Sequence, residues 1–195
     1  IESVDQKVCV YLPNFCEGRN AELSIKDLLT MSSGLNWTED YYNPIGQTAE
    51  AYYGNNLSDL ILNLTVVATP GQVFKYHSSC TQLLTFIIES ATGETISKYA
   101  SKKLWKPMGA KHSALWNTDV EGGDEKGFCC INSNARDFAR LGKLYMHQGN
   151  WNGTQLLDSN YIFEAISPAN LLDEKGNQNT NYGYQFWLAE RQGFS

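Results

Sequence analysis

The stretch that most constrains this 195-residue chain is "PGQVFKYHSSCTQLLTFIIESATG", from Pro70 to Gly93. Leu83, Leu84, Ile87, Ile88 and Ala91 recur at three- and four-residue spacing, the period of one helix face. Pro70-Gly71 opens the segment with a turn, and "VFKY" reads as a short extended piece. Gly93 closes the helix, because glycine takes the left-handed conformation that ends helices at no steric cost. At the mouth of the helix stand Tyr76, His77, Ser78, Ser79 and Cys80. A phenol, an imidazole, two hydroxyls and a thiol beside the free N–H groups of a helix start are either a polar entry or half of a reaction site.

The rest of the chain reads as further short helices. "ELSIKDLLTMSSGL" predicts a helix capped by Ser24, with Asp27 three residues on. Its apolar face is Ile25, Leu28, Leu29 and Met31, and Gly34 stops it. A polar, aromatic loop, "NWTEDYYNPIGQT", follows. Ser58 is the expected cap of a short helix that ends before Pro70. "TISKYASKKLW" predicts another short helix, ended near Pro107. The strongest helix is "NSNARDFARLGKLYMHQG", capped by Asn132 or Ser133, with Ala135, Phe138, Ala139, Gly142 and Tyr145 as its apolar stripe. "DSNYIFEAIS" adds a short helix, and the aromatic "YGYQFWLAE" reads as a strand.

The expected fold is therefore mainly α, in an α+β frame, with one or two short strands and a single domain over residues 1–195. The helices after Ser24, Ser78 and Ser133 should pack together and bury Leu28, Leu84 and Phe138. A lone terminal strand needs partners, and these are expected outside the 195 residues.

Composition narrows the function. Apolar residues make up 42% of the chain and aromatic residues 12%, enough for a globular core, and the net charge is -6. With no Lys/Arg-rich run, there is no electrostatic case for nucleic acid or an anionic membrane, and no apolar run approaches a membrane span. "IESVDQKVCVYLPNF" lacks the basic start and apolar middle of a signal peptide. Five cysteines leave at least one unpaired, and the adjacent Cys129 and Cys130 are expected as small buried residues. His77, His112 and His147 are too far apart for a metal motif, so neither a metal nor a cofactor is expected.

Near a helix N-terminus or a lysine, the Tyr76 phenol could have its pKa lowered toward the range of a general base, with Ser78 in the same cleft. On its own, a tyrosine before a helix is ordinarily a packing residue. Several segments in order change that balance. "VCVYLPNF", "LSIKDLLTMSSGL", "TEDYYNP", "PGQVFKYHSSCTQLL", "ARDFARLGKLYMHQGNWNG" and "YGYQFWL" together resemble the serine beta-lactamase, penicillin-binding and esterase superfamily. The likeness is to its class C-type branch, including the 6-aminohexanoate-oligomer hydrolases.

The resemblance implies the helical domain of a beta-lactamase/transpeptidase-like fold. It implies an acyl-enzyme reaction on an amide, ester or beta-lactam, with a small-molecule or peptidoglycan-like substrate, and a bacterial, extracytoplasmic setting. Tyr76 falls on the catalytic tyrosine, Ser78 on the third residue of the same motif, and Tyr41 on the tyrosine of the substrate-side loop. The family's nucleophile is a Ser-x-x-Lys serine, and no Ser-x-x-Lys occurs in this sequence. The "HQG" at His147 imitates the closing His-x-Gly motif, but it ends a helix and precedes the aromatic segment it should follow. The chain is thus expected to be the central part of such an enzyme and inactive alone. The reading from another class is a non-catalytic helical module that binds a ligand or partner. Substrate and oligomeric state are not legible in the sequence.

Overall fold

The computed structural model describes residues 1–188. The long helix α4 runs Ser78–Thr92, and Gly93 closes it at a φ of 68°. Its covered surface is wider than the apolar period. Ser78, Ser79, Cys80, Gln82 and Thr85 are buried along with Leu83, Phe86 and Ile87, whereas Leu84 is only partly buried and Ala91 is exposed. Gln82 can be buried because its amide is paired at both ends. Its Nε2 donates to the Glu125 carbonyl at 3.0 Å, and its Oε1 accepts the Gly127 N–H at 2.9 Å. Gly127 has to be glycine, since a Cβ there would lie 1.8 Å from Thr85 Oγ1. This clasp sets the path of the chain into Phe128 and Cys129.

Helix α1 (Ile25–Leu29) begins with the predicted capping box, in which Ser24 and Asp27 satisfy each other's backbone N–H. It is shorter than predicted. Met31 turns left-handed at a φ of 56° and is fully buried from that turn. Gly34 does not stop the helix. It admits the backbone of Ala68, whose carbonyl oxygen would sit 2.3 Å from a Cβ. Helix α2 (Gln47–Tyr53) follows the aromatic loop and was not legible in the sequence. Helix α3 (Leu57–Leu62) is capped by Asn56, not Ser58. Helix α5 (Ile96–Ala100) continues into a π-helical turn, Ser101–Trp105.

Helix α6 (Ala135–Met146) is capped by Asn134 rather than Asn132 or Ser133, and its covered side is not the predicted stripe. Ala135, Ala139 and Gly142 are exposed, Phe138 is 37% exposed, and the buried residues are Asp137 and Leu144. Asp137 faces inward because it is saturated with donors. It accepts the N–H groups of Lys111 and His112 at 3.0 Å each, Asn134 Nδ2 at 2.7 Å and Arg140 Nε at 3.0 Å. These hydrogen bonds, led by that of Lys111, hold its carboxyl well below the usual range. A carboxylate so paired can be buried where an apolar stripe remains in water. Helix α7 (Ser159–Ala165) is capped by Asp158.

The core joins Val8, Leu12 and Phe15 to Leu28 of α1, Leu57 and Ile61 of α3, and Leu83 and Ile87 of α4. Tyr182 and Tyr184 close it from the C-terminal side. Strands are minor and paired in twos. The strand β1 (Val73–Phe74) runs parallel to β6 (Leu172–Asp173), β2 (Leu115–Trp116) antiparallel to β3 (Ile131–Asn132), and β4 (Asn150–Trp151) antiparallel to β5 (Thr154–Gln155).

The predicted "YGYQFWLAE" strand is a turn as far as residue 188; Ala189 and Glu190 lie outside the described residues. Gly183 N–H donates to the Phe186 carbonyl at 2.9 Å, and Gln185 is left-handed at a φ of 57°. The turn is seated on the end of α1. Gln185 N–H donates to the Leu29 carbonyl at 2.9 Å, and its Nε2 donates to the Leu28 carbonyl at 3.0 Å. The helix thereby gives its free carbonyls to the turn.

Cys9 is bonded to Cys16 and Cys129 to Cys130, while Cys80 is free and buried. The adjacent pair is therefore a disulfide, partly exposed, and not two small core residues.

Candidate active site

The strand-to-helix junction is fixed from below by the turn after α1. Lys75 N–H donates to the Met31 carbonyl at 2.7 Å, and His77 N–H lies 3.5 Å from Met31 Sδ. Tyr76, between them, stands at the edge of a groove of about 490 Å3. The groove runs between the aromatic loop, α2 and Phe128-Cys129, and Tyr41, Tyr76 and Ser78 all line it. Tyr42, Tyr52 and Tyr53 supply most of the remaining aromatic wall. Tyr76 is half-buried, with its ring stacked on Trp187 at 5.5 Å and edge-on to Tyr182 at 6.2 Å.

Glu39 organises this groove. Its Oε2 accepts the Ser78 N–H at 2.7 Å, and its Oε1 accepts the Ser78 hydroxyl at 2.7 Å. Trp37 Nε1 also donates to Oε2, at 2.7 Å. His77, the residue that precedes α4, makes no side-chain cap, so a carboxylate from a distant loop caps the helix instead. Negative charge at a helix N-terminus is favoured by the helix dipole and by the unpaired N–H groups. Burial pushes the Glu39 carboxyl up, but hydrogen bonds from Ser78, Tyr41 and Trp37 outweigh it and leave the pKa below its ordinary value. Sequence reasoning missed Glu39. The available signal was its position two residues before Tyr41 in the same quoted loop.

Glu39→Gln should therefore destabilise the fold by about 1–2 kcal/mol, since a carboxamide cannot accept from every donor that surrounds it. The sign of the pH dependence follows from the lowered pKa. The carboxylate's contribution is present above the ordinary carboxylate pKa and is lost as pH falls through the lowered one. Urea melts between pH 7 and pH 3 should show the two proteins converging in acid. A constant gap across that range would mean that Glu39 charge contributes nothing.

The tyrosines titrate high. Tyr41 is pushed up to about 12, by burial first and then by the neighbouring Glu39 carboxylate. Tyr76 is also raised, by burial and then by Glu39 and Cys80. The sequence expectation of a lowered Tyr76 pKa is thus corrected. Lys75, the adjacent cation, is taken up by Glu174 at 2.8 Å, and the charge that faces the phenol is negative. A neutral phenol can donate a hydrogen bond or relay a proton. It becomes a base only when a cation is brought beside it. Cys80, fully buried against Ser33, is pushed up to about 12 by burial and is no nucleophile. His77 is 2% exposed, and burial, then Lys75, lowers its pKa to about 4. It is a neutral core residue and does not face the groove.

The three residues singled out in the sequence, Tyr76, Ser78 and Tyr41, line one wall. They differ in exposure: Tyr41 is 70% exposed, whereas Ser78 is 6% exposed and held by Glu39. Ser32 and Ser33 are each 1% exposed, and His147 ends α6.

The family described as Beta-lactamase matches residues 1–194. Among curated proteins, the chain is 26% identical over 173 residues to a 6-aminohexanoate-dimer hydrolase from Paenarthrobacter ureafaciens. That stretch covers 83% of this chain and 44% of the relative. It is 30% identical over 146 residues to an N-acetylmuramyl-L-alanine amidase of Bacillus subtilis strain 168, covering 69% of this chain and 32% of the relative. A solved structure of a candidate 6-aminohexanoate-dimer hydrolase from Bacillus anthracis superposes with a TM-score of 0.81 at 24% identity. It covers 96% of this chain and 52% of that one. The chain thus spans less than half the length of these curated relatives. With the family pattern running from Ile1 to Phe194 and the same fold in a solved neighbour, this chain belongs to the beta-lactamase family.

Proposed function

We propose that residues 1–195 are the central, mostly helical part of a serine hydrolase that works through an acyl-enzyme, and that Tyr76 moves the proton in its reaction. The observation that carries this reading is the convergence of Tyr76, Ser78 and Tyr41 on one groove, with Ser78 fixed by Glu39. In the reaction, a serine oxygen attacks the carbonyl carbon of an amide or ester and gives up its proton to a lysine–tyrosine couple. The tetrahedral intermediate collapses, the carbonyl re-forms as the bond to the leaving amine or alcohol breaks, and Tyr76 returns the proton to that leaving group, which leaves the acyl-enzyme. Water then releases the acid by the same route reversed.

In this reading the nucleophile and its lysine lie outside these 195 residues; the lack of a Ser-x-x-Lys within them supports it. That lysine supplies the cation the raised Tyr76 pKa calls for. Tyr41 contacts substrate, and Glu39 positions Ser78 and Tyr41 without touching the reacting atoms. The relatives act, by their names, on an aminohexanoate dimer and on a muramyl-alanine amide, so amide substrates, including peptidoglycan-like ones, come first. The disulfides at Cys9–Cys16 and Cys129–Cys130 suit an oxidising, extracytoplasmic compartment.

Fluorophosphonate labelling tests the assignment. In the longer protein that carries this chain, the label should fall on one serine outside residues 1–195. Stoichiometric labelling of Ser32, Ser33, Ser78 or Ser79 would overturn it.

A further inference from the structure

A second concavity lies away from the tyrosine groove. It is a cleft of about 330 Å3, within the size range of small-molecule sites, where α5 and the π-helical turn face the chain around β2 and β3. Trp105 and Trp116 line it, together with Lys106, Lys111, His112 and Ser101. We infer that this cleft is a separate binding site for an anionic compound with a flat, apolar body, such as an aryl phosphate, sulfonate or carboxylate.

Charge is the first argument. From Thr95 to Thr118 the chain has five lysines and no Asp or Glu, although the whole chain carries a net charge of -6. Lys98, Lys102, Lys103, Lys106 and Lys111 are spaced too widely to read as a basic run, but all are exposed, and Lys106 and Lys111 line the cleft. Two of the nearby acids are held by cations outside the cleft, and a third by neutral donors that leave its charge in place. Glu94 pairs with Lys102 at 2.9 Å, Asp137 pairs with Arg140 at 3.0 Å, and Glu125 accepts the Ser97 N–H at 2.7 Å. Among the described residues, Lys106 and Lys111 have no ion-pair partner. Lysines in this state are point charges available to an anion.

The aromatic wall is the second argument, and it is independent of the first. Both indoles are locked by their own N–H groups. Trp105 Nε1 donates to the His112 carbonyl at 2.8 Å, and Trp116 Nε1 to the Lys126 and Cys129 carbonyls at 2.9 Å each. Their polar edges are thus spent on the protein, and what they have left to offer a ligand is ring surface. His112 Nδ1 lies 3.0 Å from Asp137 Oδ2, which leaves Nε2 as its free nitrogen. Fixed ring surface beside unpaired cations selects a molecule with a flat part and a negative part.

The test uses 1-naphthyl phosphate, with the uncharged 1-naphthalenemethanol as its control. Calorimetry at low salt should show saturable binding of the phosphate and weaker binding of the alcohol. Adding salt should weaken the phosphate, as it does for exposed charge pairs. The double variant Lys106→Ala/Lys111→Ala should lose about tenfold in affinity, the scale of two exposed charge contacts, with an unchanged melting temperature. In a two-dimensional NMR titration, the indole signals of Trp105 and Trp116 should shift, while those of Trp37 and Trp151 stay in place. Should the alanine variant melt early, Lys106→Gln/Lys111→Gln replaces it, and the control compound and the NMR map decide independently of either. Absence of saturation, equal affinity for the neutral control, undiminished binding by the variant, or shifts centred on Trp37 would each overturn the inference.

Discussion

Replacing Tyr76 by phenylalanine in the longer protein is expected to lower kcat for a short p-nitrophenyl ester by roughly a hundredfold or more, the scale of general acid-base catalysis. KM and the melting temperature should change little. The ring packs on Trp187 and Tyr182, and phenylalanine keeps those contacts. The phenol makes no hydrogen bond that holds the fold among the described residues. A loss confined to kcat separates a proton-handling role from a packing role. The raised Tyr76 pKa adds a requirement. Removing the lysine that follows the nucleophile should cost at least as much as removing the phenol, because without that cation the tyrosine stays protonated at neutral pH. Near-normal turnover by Tyr76→Phe would reduce Tyr76 to a wall of the groove.

The second large effect concerns the 195-residue chain alone. It is expected to hydrolyse neither a chromogenic cephalosporin nor a p-nitrophenyl ester above the buffer blank. Catalysis of this type needs nucleophile, lysine and tyrosine within hydrogen-bond reach, together with donors for the oxyanion. Loss of one member of such a set typically costs several orders of magnitude, and the remaining members do not recover it. The serines the chain does hold are poorly placed to substitute. Ser32, Ser33 and Ser79 are at most 1% exposed, and the Ser78 hydroxyl donates to Glu39. Turnover by the purified chain that disappears in Ser78→Ala would place the nucleophile here and end the proposal that it lies outside.

Local signals were reliable where one backbone event decides the outcome. Ser24 and Asp27 form their capping box, Gly93 is left-handed where α4 ends, and the period of α4 marks a true helix. The placement of Tyr76 and Ser78 at that helix start was equally legible, because it follows from chain order alone. The errors share a different origin. The stripe on α6 is apolar, yet Asp137 and Leu144 are the residues turned inward, because a saturated carboxylate can be covered as readily as a leucine. The segment around Gln185 has the composition of a strand, yet it turns, because α1 offers free carbonyls to its backbone and side-chain amides. Cys129 and Cys130 looked like small core residues and are bonded to each other.

By itself the sequence determined that α4 exists, where it starts and stops, that a phenol and a hydroxyl stand at its mouth, and which family the chain belongs to. These are properties of neighbours along the chain. Only the tertiary structure decided that Glu39, 39 residues from Ser78, caps that helix and holds its hydroxyl. It alone decided that the phenol faces a negative charge rather than Lys75, and that Lys106 and Lys111 line one cleft with two indoles. The physical reason is that hydrogen bonds and charges act through space over a few ångströms, while sequence distance sets no bound on which groups folding brings that close.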